Sequence, residues 1–300
     1  MTEQTSWVQV SLTVPQSMVA TVEDALLEAG ALSVTLLDSD DVPVLEPLPG
    51  ETPLWPNVKV VGLFDADHDP STIKRYLHAA LPPQYLDSFD YETLADDDWT
   101  RKWMDEFKPQ QFGERLWIIP SWVKQPPEPE AITVRLDPGL AFGTGNHPTT
   151  ALCLEWLAGQ ELANKRVLDF GCGSGILAIA ALKLGAKSAW GVDIDPQALT
   201  ATVDNGKANE IASERLQATL PEALPTDAGF EVLVANILAN PLIELAESMS
   251  RHLLPQGQFA LSGILNEQAD AVAAAYRQAG LVVDGIRQNG DWSLIFGHRA

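Results

Sequence analysis

The chain has 300 residues, enough for two domains of ordinary size, and its 46% hydrophobic and 20% charged residues are the composition of a soluble globular protein. No apolar run approaches the roughly 18 residues of a membrane span, and the opening MTEQTSWVQV has neither the basic n-region nor the apolar h-region of a signal peptide. The net charge of −22 disfavours direct contact with a nucleic-acid backbone.

That charge is uneven. Residues 1–130 hold 23 acidic against 8 basic residues, a net of −15, and residues 131–300 hold 18 against 11, a net of −7. Residues 1–95 alone carry 15 acidic and 3 basic residues. Such a surface either steers a basic protein towards it or only keeps the chain soluble. The two cysteines, Cys153 and Cys172, make no disulfide framework, which fits a reducing cytoplasm.

In chain order, the alternating WVQVSLTV at 7–14 reads as a strand. A helix is expected from Gln16 to Ala29, with Val19, Val22, Leu26 and Ala29 at helical spacing and Gly30 just past its end. Strands follow at Ser33–Leu37 and Val58–Phe64, separated by a proline-rich loop. Asp69-Pro70 is an N-cap and N1 pair for a helix carrying Ile73, Leu77 and Leu81. A last strand is expected over Asp87–Leu94. The order βαββαβ points to a small α+β, ferredoxin-like domain. Asp96, Asp97 and Asp98 then suit the positive end of a helix. Trp99, Trp103 and Phe107 form an aromatic stripe on it, and QPPEPE at 125–130 ends this stretch.

From residue 131 strands and helices alternate. VLDF (167–170), SAWGV (188–192), EVLVAN (231–236) and QFALSG (258–263) read as buried parallel strands. Helices are expected at Ile176–Leu184, Pro196–Asn209, Pro241–Leu254 and Asn266–Ala279. The tail closes as an antiparallel hairpin turning at Asn289-Gly290 or Gly290-Asp291. The fold class is α/β, a doubly wound, Rossmann-like sheet with an antiparallel edge.

Gly171, Gly173 and Gly175 lie between the strand VLDF and the helix after it, where glycine allows a tight turn and close approach to a ligand. Such a pattern is weak alone. Three features sharpen it. Asp169 precedes the glycines, where an acid repels a pyrophosphate but suits the amino group of a methionine moiety. The spacing is G-x-G-x-G. Asp193 ends the next strand, 22 residues after Gly171, placed to accept from both ribose hydroxyls. Asp195-Pro196 already supplies the next helix cap, which leaves Asp193 free. Together they describe a site for S-adenosylmethionine. Cys172 between the glycines reads as a small spacer.

Asn236 ends EVLVAN at the switch point of the sheet, with Asn240-Pro241 expected to cap the helix beyond it. It is a candidate for contacting cofactor or nucleophile. The loop DPGLAFGTGNHPTT (137–150) cannot pack a core but can wrap a cofactor with Thr144, Thr149 and Thr150. His147 is a candidate proton acceptor, with a hydrogen-bonded spacer as the plainer alternative. Five histidines without paired ligand spacing make no metal site.

LDPGLAFGTGNHPTT, VLDFGCGSGILAIAALKLGA, GVDIDPQA and VANILANPL together resemble the ribosomal protein L11 methyltransferases (the PrmA family), class I S-adenosylmethionine-dependent enzymes. ALLEAGALSVTL, EPLPGE and DDDWTRKWMDEFKPQQFGERLWIIPSW are similar to that family's N-terminal domain and linker. The resemblance implies a seven-stranded catalytic domain at 131–300, a substrate-recognition domain at 1–95 and a helical, proline-rich linker at 96–130. It implies cofactor contacts at Thr150, Gly171, Asp193 and Asn236. It also implies methylation of α-amino and lysine ε-amino groups of a basic large-subunit ribosomal protein. A cytoplasmic monomer is expected, contacting neither nucleic acid nor membrane. Methylation of a nucleic-acid base or small molecule is the rival activity. Base amino-methylating enzymes resemble one another in an Asn-Pro-Pro-aromatic motif where this chain has NILA. A non-catalytic adapter for a basic protein is the rival from outside enzymology.

Overall fold

The computed structural model describes residues 6–39, 55–95, 108–124, 128–137 and 147–300. The chain divides into two compact units, Met1–Phe107 and Lys108–Ala300. The helix expected from Asp96, its stripe of Trp99, Trp103 and Phe107, and most of the loop around Thr144 lie outside the described residues.

In the first unit, strands β1 (Ser6–Pro15), β2 (Ser33–Asp38), β3 (Asn57–Asp65) and β4 (Asp90–Ala95) form an antiparallel sheet in the order β2-β3-β1-β4. Helices α1 (Val19–Glu28) and α2 (Pro70–Ala80) complete the expected ferredoxin-like order. Period-two alternation sends Val8, Val10, Leu12 and Val14 of β1 and Val58, Val60 and Phe64 of β3 to one face. There they bury against Val22 and Leu26 of α1 and Ile73 and Leu77 of α2. Asp69 caps α2 as its sequence suggests, its Oδ1 accepting from the Ser71 N–H at 3.0 Å. The last strand starts at Asp90 rather than Asp87, because Pro83–Ser88 winds into a short 3-10 helix.

The second unit opens with a small sheet of β5 (Gln110–Phe112), β6 (Leu116–Ile119) and β7 (Ile132–Arg135), β6 pairing antiparallel with β5 and parallel with β7. Residues 110–112 and 116–119 of the span expected as a linker are therefore strands of this unit. The apolar run Leu116, Ile118 and Ile119 is buried, and burial outweighs the helical and proline signals on either side.

Its main sheet has seven strands: β8 (Arg166–Phe170), β9 (Ser188–Val192), β10 (Leu216–Thr219), β11 (Phe230–Asn236), β12 (Leu253–Leu265), β13 (Val282–Asn289) and β14 (Trp292–His298). Their order is β10-β9-β8-β11-β12-β14-β13. The first five run parallel, and β14 alone runs the other way, pairing antiparallel with both β12 and β13. The hairpin turns at Gly290-Asp291, with Asn289 opposite Trp292.

Helices α3 (Pro148–Ala158) and α4 (Ile176–Lys183) share one core with one sheet face. Helices α6 (Ala239–Glu244), α7 (Ala246–His252) and α8 (Ala269–Gln278) share a second core with the other face. Helix α5 (Pro196–Ala208) precedes β10. The helix expected from Pro241 is two helices, starting at Ala239, so Asn240 lies inside the first turn rather than at its cap. The strand order reverses between β8 and β11, and a ligand cleft opens beyond the carboxyl ends at such a point. Among the described residues no helix is long and apolar enough to cross a membrane.

Candidate functional site

Directly above that switch point lies a cavity of about 530 Å³, within the range of small-molecule sites. Asp169, Gly171 and Gly173 line it from the β8–α4 turn, Asp193 from the end of β9, and Asn236 from the end of β11. His147, Thr149 and Thr150 line it from the start of α3. Of the residues the sequence singles out, Thr144 lies outside the described residues and Gly175 stands back from the cavity.

The glycine turn is built by conformation. Gly171, Gly173 and Gly175 all have positive φ, at 76°, 52° and 77°. Gly175 begins α4, and a Cβ there would meet Thr202 at 2.9 Å, so its glycine serves the turn and the packing of α5. Having no side chain, Gly175 cannot cap the helix. Asp169 does so from a distance: its Oδ2 accepts the Ala178 N–H at 3.0 Å.

Asp169 is fully buried, and its other oxygen, Oδ1, is buried without a hydrogen-bond partner. Burial pushes its pKa up to about 7, with the charge of Asp193 adding to the shift and the Ala178 hydrogen bond opposing it. An orphaned buried carboxylate oxygen at a cavity wall calls for a cationic or donor group.

Asp193 ties the second strand to the glycine turn. Its Oδ2 accepts the Gly173 N–H at 2.9 Å and its Oδ1 the Asp195 N–H at 3.0 Å. A carboxylate has about four acceptor sites, so capacity for a diol remains. Asp195 caps α5, Oδ1 accepting from Gln197 N–H at 2.8 Å, as expected.

His147 is the N-cap of α3. Its Nδ1 lies 3.4 Å from the Thr149 N–H that points to it and 2.7 Å from Thr149 Oγ1. Burial lowers its pKa, so the ring is held neutral. The neutral ring has one N–H and one lone pair, and Nδ1 is the nitrogen engaged by Thr149. Asn236 Nδ2 donates to the buried Thr150 Oγ1 at 3.1 Å. Burial pushes the Cys172 thiol up to about 12, in keeping with an unreactive spacer.

Sequence reasoning missed the apolar walls. Trp292 lines the cavity with its ring edge-on to His147 at 4.8 Å between centroids. Ile237, Leu238 and Gly263 line it too, as does Ile194, which is 83% exposed. Ile194 had a signal, an apolar residue set between the acids of GVDID. Trp292, at the start of a hairpin strand, had none.

Two carboxylates on a mainly apolar cleft, one with an orphaned oxygen, fit a ligand carrying an ammonium, a ribose and an aromatic base. A glycine turn that brings backbone to its edge fits the same ligand. With the seven-stranded sheet, they define a class I methyltransferase, whose cofactor is S-adenosylmethionine.

The sequence pattern of the ribosomal protein L11 methyltransferase (PrmA) family matches residues 6–300. A Histophilus somni ribosomal protein L11 methyltransferase is 52% identical over 292 residues, 97% of this chain and 98% of that one. A Pseudomonas aeruginosa protein of the same name is 53% identical over 293 residues, 98% of each chain. Among solved structures, the ribosomal protein L11 methylase of Lactobacillus delbrueckii subsp. bulgaricus superposes with a TM-score of 0.59 at 34% identity, covering 65% of this chain and all of that one. The chain belongs to the ribosomal protein L11 methyltransferase family.

Proposed function

We propose that this enzyme transfers methyl groups from S-adenosylmethionine to the α-amino group and lysine ε-amino groups of ribosomal protein L11. The observation that carries the reading is the meeting of Asp169, Asp193 and Asn236 at one apolar cleft, in a chain matched end to end by the relatives named above. The net charge of −12 on residues 1–95 supports a basic ribosomal protein as the partner. It also supports residues 1–95 as the part that reads the substrate, without nucleic-acid contact. The enzyme works in the cytoplasm as a monomer.

When bound, the cofactor supplies a methyl group on a sulfonium, open to in-line attack. Asp193 holds the ribose hydroxyls and Ile194 offers an apolar plate beside them. Asp169 Oδ1 takes the ammonium of the methionine moiety, and the Gly171–Gly173 backbone borders it. Thr149 and Thr150 close the wall at the start of α3.

Asn236 orients the nucleophile. One N–H of its NH₂ donates to Thr150, and with the amide held there its carbonyl can accept an N–H of the incoming amine and orient that amine's lone pair. The amine must be neutral to attack. At pH 7 an α-amine with pKa of about 7.7–8.0 is neutral to about a tenth, and a lysine near 10.4 to less than about a thousandth. The apolar walls of Ile237, Leu238 and Trp292 disfavour the ammonium and lower that pKa. The surplus proton leaves to water.

Incubation with separated large-subunit proteins and methyl-labelled cofactor tests the reading. Label should concentrate in L11. Label in another protein, or in none, would overturn it.

A further inference from the structure

Asn236 acts only if the chain beyond it is held still, and two glycines lie against the next residue. From Val232 opposite Gln258, strands β11 and β12 pair in register until Asn236 meets Ser262. There β12 slips register against β14 between Leu261 and Ile264. Gly263 sits in this irregularity at φ +85°. An added Cβ would stand 2.3 Å from the Ile237 carbonyl oxygen, 2.7 Å from its carbonyl carbon and 3.1 Å from its nitrogen. The Gly263 backbone therefore lies flat on the Ile237 main chain. Ser262 Oγ donates to the Ser293 carbonyl at 2.9 Å and fastens the irregular stretch to β14. From the cofactor loop, Gly171 meets the same residue differently: its added Cβ would stand 2.1 Å from Ile237 Cγ2, a side-chain atom.

We infer that Gly263 is a positioning residue for methyl transfer, acting with Gly171 to fix the Ile237 peptide and, through it, the Asn236 amide. The inference rests on Asn236 facing the amine, as proposed above. Bulges re-aim side chains next to active sites, and a misplacement of about 1 Å can cost about 100-fold in rate. The cofactor's polar partners, Asp169 and Asp193, lie on β8 and beyond β9, so moving Ile237 separates rate from cofactor affinity.

The test compares the full-length enzyme with Gly263→Ala and Gly171→Ala, each with and without Ile237→Ala. Calorimetry gives the cofactor Kd, and single-turnover transfer to L11 gives the rate. Gly263→Ala should lower the rate about 100-fold and change Kd by less than about 3-fold. Ile237→Ala should recover about 10-fold of the loss caused by Gly171→Ala, because the clashing Cγ2 is gone. It should recover none of the loss caused by Gly263→Ala, because that clash is with the main chain. A wild-type rate for Gly263→Ala, or rescue of both variants or of neither, overturns the inference. If Gly263→Ala does not fold, the Gly171 pair decides alone.

The Asn236 side-chain amide resonance gives a readout that needs no substrate. It should move in Gly263→Ala, or in Gly171→Ala if only that variant folds, and an unmoved signal overturns the inference. Failure of the wild-type enzyme to methylate L11 would sink the proposed substrate and leave this spectral test standing.

Discussion

Asn236 and Thr150 lie 86 residues apart in the chain, and their side chains meet at 3.1 Å. That hydrogen bond joins the end of a central strand to the first turn of α3 and decides which end of the Asn236 amide faces the cleft. Asn236→Ala should lower single-turnover transfer about 100-fold while changing cofactor affinity less than about 10-fold. Thr150→Val should cost less, about 3- to 10-fold, since a neutral hydrogen bond contributes about 0.5–1.5 kcal/mol. Rapid-quench kinetics beside cofactor titration checks both. Wild-type rates in both variants would remove the pair from the mechanism.

Asp193→Ala should weaken cofactor binding about 10- to 150-fold, the loss of about 1.5–3 kcal/mol in hydrogen bonds to a charged group. The structure adds a second consequence. The Gly173 and Asp195 N–H groups lose their acceptor, so the melting temperature should fall as well. Unchanged affinity in a folded variant would end the ribose assignment.

Asp169 should make both stability and binding depend on pH. Its native pKa of about 7 lies above the ordinary value of 3.8. Between those values the unfolded chain gives up a proton that the folded protein keeps. Its contribution to stability therefore falls as pH rises from about 4 to about 7, and is level outside that window. Asp169→Asn, which can still accept from Ala178, should abolish this fall, a difference of at most about 4 kcal/mol in denaturant titrations. An ammonium bound at Oδ1 favours the ionised form, so cofactor binding near pH 7 should release protons. Calorimetry in two buffers of different ionisation enthalpy measures that release. Its persistence in Asp169→Asn would show that another group is responsible.

The parts of this site legible in the sequence are those whose physics is local. Three positive-φ positions within five residues demand glycines, and Asp69-Pro70 and Asp195-Pro196 announce caps through their own backbone. Asp193 was visible because a strand delivers its last residue to the sheet rim. What stayed hidden depends on distant partners. Nothing near His147 shows that it caps α3 or meets Trp292. Nothing in QFALSG shows that Gly263 lies on Ile237. The strands Gln110–Phe112 and Leu116–Ile119 are short, and they form because Ile132–Arg135 pairs beside them.

That small sheet sets where a truncation can start. A chain beginning at Ala131 would leave β7 without β6, whereas one covering residues 108–300 keeps the whole second unit. The 108–300 protein should bind S-adenosylmethionine with near wild-type affinity, since every described cofactor candidate lies within it. It should lose methylation of intact L11 if residues 1–95 read the substrate. For the full-length enzyme, salt should slow transfer at subsaturating L11, because exposed charges are screened within about 8 Å at physiological ionic strength. A truncated enzyme with full activity on L11, or a rate indifferent to salt, would leave the acidic charge a solubility feature only.

The central claim is that this cleft delivers methyl groups to amines of L11. Intact-mass spectrometry of purified, unmethylated L11 incubated with the enzyme and S-adenosylmethionine, followed by peptide mapping, tests it most directly. The account predicts mass increments of whole methyl groups confined to the α-amine and lysine ε-amines, and their near-absence with Asn236→Ala. Unmodified L11 in the presence of an enzyme that binds the cofactor would contradict it.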